Sequence, residues 1–137
     1  MSLEIHPESD ILNVAAAGKF SLSEAKRTFL EMLEAAAEHQ TRKVLIDGRK
    51  LTGKPEVIER FYYGAFAAQT VAHFRGGMLS YARFAYVLRE PVLDPGRFGE
   101  TVAVNRGMNV KVFDNLEEAV KWLGVARIDG SAPMSGK

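Results

Sequence analysis

The chain has 137 residues, 47% apolar and 26% charged, with 18 basic side chains against 17 acidic. That is the size of one domain with a real core, and a net charge of +1 gives no general attraction for nucleic acid. Cysteine is absent, which excludes a disulfide framework, a thiol nucleophile and a thiolate metal site, and agrees with a reducing compartment.

Residues 1–8 hold no cationic stretch followed by an apolar run, so no signal peptide is expected and the cytoplasm is the expected location. Residues 3–6 and 11–17 flank Pro7-Glu8-Ser9-Asp10, a turn of the length that joins antiparallel strands, and predict an opening hairpin. Ser21 with Glu24 three residues on forms a capping box, and Phe20 before it supplies half of a hydrophobic staple. Leu22, Ala25, Phe29, Met32, Leu33 and Ala36 then recur at helical spacing, while Glu24, Arg27, Glu31, Glu34 and Glu38 fall on the other side. This predicts a helix to about residue 39 with one face on a sheet.

The stretch at 43–74 organises the rest. A short apolar strand, Val44-Leu45-Ile46, leads into a polar turn at 47–54 and then a helix opened by Pro55. Open α/β sheets place their sites at such strand-to-helix turns, where strand carboxyl ends and helix amino ends converge. The helix carries Val57, Ile58, Phe61, Tyr62, Tyr63, Phe66, Val71 and Phe74, with no charge from 61 to 71. A helix that is apolar nearly all round needs deep burial or a second apolar partner. The uncharged run falls short of the roughly 20 residues that span a bilayer. Arg75-Gly76-Gly77-Met78-Leu79-Ser80-Tyr81 follows and reads as a mobile or partner-facing loop.

Residues 83–89 form a second central strand, closed by Glu90-Pro91. Asp94-Pro95 predicts a helix with Asp94 as N-cap, ended by Gly107 after Arg106. Residues 109–113 alternate as the last strand. Asp114-Asn115 caps a final helix whose Leu116, Ala119, Val120 and Leu123 keep an apolar stripe, stopped by Gly124. Residues 125–137, rich in Gly, Ser and Pro from Asp129 onward, are expected to be a disordered tail after a domain spanning 1–124.

The order β-β-α-β-α-β-α-β-α implies a single α/β domain built on a mixed sheet with a parallel portion. The closing segment Val104-Asn105-Arg106-Gly107-Met108-Asn109-Val110-Lys111-Val112-Phe113-Asp114-Asn115-Leu116-Glu117-Glu118-Ala119-Val120-Lys121-Trp122-Leu123 resembles the last strand and helix of the SpoIIAA-like family, a branch of the STAS and CRAL-TRIO-type lipid-binding group. The order of elements over 3–123 fits that family too. The resemblance implies a small non-enzymatic regulatory domain. In anti-sigma-factor antagonists of this kind, the turn after the central strand carries a phosphorylatable serine in a run like Asp-Ser-Ser-Gly. Here that turn holds Asp47, Thr52 and Gly53 without the serine pair, and Lys54-Pro55 departs from the pattern. Thr52 is the residue left to receive a phosphoryl group. Family members resembling this chain are linked instead to lipid or membrane association.

Two functions follow as expectations. The first is a module that binds an apolar or lipid-like molecule, or the inner face of an anionic membrane, through Phe61, Tyr62, Phe66, Met78, Leu79 and Tyr81, with Arg75 and Arg83 steering a headgroup at the rim. The alternative is a protein-interaction module, a homodimer among its forms, in which Asp47, Thr52 and Gly53 make a partner-facing turn with a phospho-switch. His6, His39 and His73 lie on separate elements without ligand spacing, so no metal or other cofactor is expected. No nucleophile elbow or phosphate-cradling Gly-rich loop frames the Ser, His and Asp residues, and no enzyme activity is expected.

Overall fold

A computed structural model describes residues 1–124; the tail expected at 125–137 lies outside them. The sheet has five strands: β1 (Ser2–Pro7), β2 (Leu12–Lys19), β3 (Lys43–Thr52), β4 (Arg83–Val87) and β5 (Val110–Phe113). They lie side by side in sequence order. β1 and β2 form the expected antiparallel hairpin, and every later pair is parallel.

The helices are α1 (Leu22–Glu38), α2 (Val57–His73), α3 (Phe98–Asn105) and α4 (Leu116–Leu123). Each parallel pair is joined by one of the first three. Crossovers that advance repeatedly in one direction with the preferred right hand put all their helices on one face. Accordingly Phe29, Met32 and Leu33 of α1, Ala67, Ala68 and Val71 of α2 and Ala103 of α3 share one core with Val14, Val44, Ile46 and Phe84 of the sheet. The opposite face of the central strands would be left bare, and α4 closes it. Its Ala119 and Leu123 pack on Leu45, Ala85, Val87 and Phe113.

Local signals set most boundaries. Ser21 Oγ accepts from the Glu24 amide at 3.4 Å to start α1. Asn115 Oδ1 accepts from the Glu118 amide at 3.0 Å to start α4, and Gly124 ends it with φ of 80°. Arg27 links Glu24 at 2.7 Å and Glu31 at 2.5 Å on the outer side of α1.

Three expectations are corrected. The polar residues after Ile46 do not form a turn: β3 continues to Thr52. Its pairing with β2 slips between Ala15 and Ala17, where Gly48 and Arg49 of β3 stand opposite the single residue Ala16 of β2. This bulge flips the strand's alternation, so that Leu51 faces the helices as Ile46 does, and it lets the strand carry Asp47 to Lys50. The second correction concerns α3, which begins at Phe98 and not at Pro95. The Asp94 carboxylate is spent on the amides of Gly96 (3.2 Å) and Phe98 (2.9 Å), closing a turn before the helix. The third is Leu79, expected in a partner-facing loop but 3% exposed within the core. Gly76 and Gly77 take φ of 76° and 90°, which turns the chain sharply enough to bring Leu79 inward while Met78 and Tyr81 point out.

Candidate functional site

The carboxyl ends of β3 and β4, the first turns of α2 and the residues between β4 and α3 meet at one end of the domain. The Arg60 guanidinium, from the first turn of α2, donates to the carbonyls of Val92 (2.7 Å) and Pro91 (2.9 Å). Beyond it Val92 and Leu93 are buried. Arg97 donates to the Val112 carbonyl, and the Glu100 carboxylate accepts from the Val112 amide at 2.6 Å. Four charged side chains, Arg60, Asp94, Arg97 and Glu100, are thus committed to backbone groups and hold this end together. Two carry positive charge and two negative, so their sum is zero.

Behind them lies a cavity of about 140 Å³. Met32 and Thr28 of α1, Tyr63, Gly64 and Ala67 of α2, Ile46 and Leu51 of β3 and Tyr86 of β4 contribute to its wall. The Tyr63 and Tyr86 hydroxyls bond to each other at 2.7 Å. Thr28, the buried polar residue of α1, has its hydroxyl satisfied by the Ala25 carbonyl at 3.0 Å. Burial pushes the Tyr63 hydroxyl up to about 12, a rise that its bond to Tyr86 partly offsets. Burial, then the neighbouring Tyr63, carries Tyr86 well above the usual phenol value. A phenol whose folded pKa is raised contributes stability that is complete below its unfolded value of about 10 and lost as pH climbs through the folded one. In an alkaline titration followed by 295 nm absorbance and circular dichroism, two of the four tyrosines should therefore ionise only near the pH at which the fold is lost. Ionisation of all four well before any change in dichroism would show the pair to be open to solvent.

α2 begins at Val57, with Glu56 as its cap residue, two positions later than a helix opened by Pro55 would. The Glu59 carboxylate accepts from the Glu56 amide at 2.9 Å. The outer side of these first turns is bare: Val57 is 68% exposed, Ile58 51% and Tyr62 49%. Phe61 is half-buried beside Tyr62, with the Arg106 guanidinium 5.3 Å from its ring centre. Tyr62 and Phe61 were legible as candidates; Val57 and Ile58, read only as helix-formers on an apolar face, complete the strip at i, i+4 spacing.

The other sequence candidates separate. Met78 and the 83%-exposed Tyr81 follow the far end of α2, about 25 Å along its axis from Val57 at 1.5 Å per residue. Arg75 is paired with Glu34 at 2.9 Å. Arg83 lies over the Trp122 ring at 4.3 Å and reaches the Leu123 carbonyl, on the α4 side of the sheet. Phe66 turns toward Phe29 at the core margin. The eight residues read as one apolar face with a basic rim are therefore not one surface. Asp47 binds Arg49 through two bonds, 2.8 Å to Nε and 2.7 Å to Nη2, and accepts from the Arg49 amide at 3.2 Å. Those bonds hold its carboxyl below the usual carboxylate range and fasten the bulge rather than presenting a partner-facing turn. Thr52 is exposed at the tip of β3, and its carbonyl accepts from the Phe20 amide at 2.8 Å. Gly53, with φ of 95°, makes the turn out of the strand. Thr52 thus stands four positions before the α2 cap, at a strand tip instead of a helix amino end.

Among the described residues, no helix is long and apolar enough to cross a membrane and no three His, Asp or Glu side chains gather to hold a metal ion.

A hairpin leading into a parallel sheet, with three crossover helices on one face and a closing helix on the other, defines a STAS-type α/β domain. Residues 11–124 match the SpoIIAA-like family, and the chain belongs to it. The fold is shared with the solved structure of an anti-sigma factor antagonist from Mycobacterium paratuberculosis, at a TM-score of 0.56 and 13% identity over 89% of this chain and 92% of that one. A protein with a SpoIIAA-like fold from Shewanella loihica PV-4 gives 0.51 at 20% identity, over 89% and 92%. A serine-to-glutamate variant of RsbS from Moorella thermoacetica gives 0.52 at 14% identity, over 90% and 95%. No curated protein matches the chain.

Proposed function

We propose that this domain is a non-enzymatic regulatory module that works by docking a protein partner on the amino-terminal turns of α2. The observation that carries this reading is the bare strip of Val57, Ile58 and Tyr62, continued by Phe61, on a helix whose other sides are covered by the sheet, α1 and α3. Apolar side chains of this size, clustered on one rigid helix at the mouth of the sheet, are what a helical or apolar partner surface would bury. A neighbour in fold that is an anti-sigma factor antagonist supports a partner of the anti-sigma-factor type. The lipid or membrane reading draws less support, because Arg75, Met78, Tyr81 and Arg83 do not adjoin the strip. A phosphate on Thr52 would sit beside the strand tip and Lys54, some way from the α2 amides, one of which already has Glu59 as its acceptor. A switch there would act by charge at the rim of the docking face.

The test uses purified anti-sigma factors encoded in the source genome, with analytical ultracentrifugation of the free chain as baseline. One of them should form a stoichiometric complex that Ile58→Asp or Tyr62→Ser weakens at least tenfold and Tyr81→Ser leaves unchanged. If Tyr81→Ser abolishes the complex while Ile58→Asp does not, the docking face lies elsewhere. If none binds and the free chain sediments as a dimer that Ile58→Asp dissociates, the strip is a self-association surface. Anionic vesicles that float the wild type but not Ile58→Asp would return the strip to the membrane reading.

A further inference from the structure

The cavity, partly open to solvent, is separate from the apolar strip at the start of α2, although α2 contributes to both, and its chemistry is specific. Its volume of about 140 Å³ is close to the ~150 Å³ of an apolar protein cavity that admits benzene. Interiors pack to a density that leaves few voids larger than a water molecule, so a void of this size departs from ordinary core packing. It is not a uniformly greasy void. Tyr63 and Tyr86 stand in its wall, from α2 and β4, with their hydroxyls 2.7 Å apart. In that pair one O–H is spent on the other oxygen, and among the described residues no further partner meets either hydroxyl. The O–H of the accepting tyrosine and the lone pairs of the donating one are therefore left over in a mostly apolar wall, an arrangement that costs free energy until something bonds to it.

The charged members of the wall define what that something is. Arg60, Asp94, Arg97 and Glu100 balance in sign and are each tied to backbone amides or carbonyls, so there is no net charge with which to draw an ion into the cavity. We propose that the cavity is a binding site for a compact uncharged molecule with an apolar body and one hydroxyl, of the size and polarity of a phenol, which seats its ring among Met32, Ile46, Ala67 and Met108 and completes the Tyr63–Tyr86 hydrogen-bond pair. Carboxylates lack an uncommitted partner for their charge.

Methionine methyl groups report the site directly. Met32 and Met108 line the cavity, while Met78 is exposed elsewhere and acts as an internal control. With methyl-13C-methionine protein, phenol should shift the Met32 and Met108 resonances saturably and leave that of Met78 in place. Phenol should bind at least as tightly as toluene, its match in size, although water holds phenol better; benzoate should not bind. Tyr86→Phe should weaken phenol five- to tenfold and leave toluene within twofold. The proposal is overturned if phenol leaves Met32 and Met108 unmoved up to its solubility, if Met78 shifts in parallel with them, or if toluene binds tenfold tighter than phenol. The wild-type comparison of phenol, toluene and benzoate decides the matter even if Tyr86→Phe fails to fold.

Discussion

Phe29→Ala should lower the stability of the domain by about 3–5 kcal/mol, the range for removing a fully buried Phe side chain. Phe29 is entirely buried, and its ring lies 5.9 Å from that of Phe84, 6.0 Å from Tyr63 and 6.4 Å from Phe66. It is the side chain through which α1, α2 and β4 touch at once, so the loss comprises its own transfer from water and the space left among three elements that cannot all close on it. Domains of this size have total stabilities of about 5–15 kcal/mol, and the variant should populate the unfolded state measurably at physiological temperature. Urea denaturation followed by circular dichroism checks it. A midpoint displaced by less than a quarter of the wild-type value would show that the neighbouring rings repack and that the cluster is not the centre of the fold.

Gly64→Val should be nearly as damaging, for the opposite reason. A Cβ at Gly64 would stand 2.6 Å from the Gly99 carbonyl oxygen, a backbone atom of the residue that opens onto α2 from α3. The two helices approach closely because both contact positions are glycine, and a side chain there has to push one helix off the other. Overpacking typically costs about 1–3 kcal/mol, and valine, only slightly better than glycine in a helix, offsets little of it. The expected loss is about 3 kcal/mol, with Gly64→Ala losing less because its better helix propensity offsets part of the clash. Because α2 and α3 both wall the cavity, and the Cβ that meets the Gly99 carbonyl is present in alanine as in valine, both variants should change the Met108 methyl resonance, valine the more. A Gly64→Val protein with an unaltered urea midpoint would mean that α3 shifts freely, and that the docking strip and the cavity do not depend on this contact.

The exposed apolar strip at the start of α2 exists because the helix is apolar on more sides than the sheet, α1 and α3 can cover, a surplus visible in the uncharged run at 61–71. Its position is a different matter. The aromatic positions Phe61, Tyr62 and Phe66 look equivalent in sequence, yet one is half-buried beside α3, one faces water and one turns to the core margin. Rotation of the helix about its axis, set by the Gly64–Gly99 contact, decides among them.

What the sequence determined by itself is whatever depends on neighbours a few residues apart. The hairpin, the capping of α1 by Ser21 and of α4 by Asn115, the stops at Gly107 and Gly124, the alternation of strands with helices and the resemblance to the SpoIIAA-like family all rest on local geometry and periodicity. What only the tertiary structure decided depends on residues brought together from afar. Asp47 to Lys50 read as a turn by composition, but strand pairing on both sides of β3 and the Asp47–Arg49 clamp hold them in a bulged strand. Leu79 read as a loop residue until two positive-φ glycines turned it into the core. Arg75 and Arg83 read as a common rim, although they are 8 residues apart by number and their partners, Glu34 and Trp122, belong to helices on opposite faces of the sheet. The cavity was beyond sequence altogether, since Thr28, Tyr63, Tyr86 and Met108 come from four separate segments and no short-range pattern records a void that exists only where those segments fail to fill the space between them.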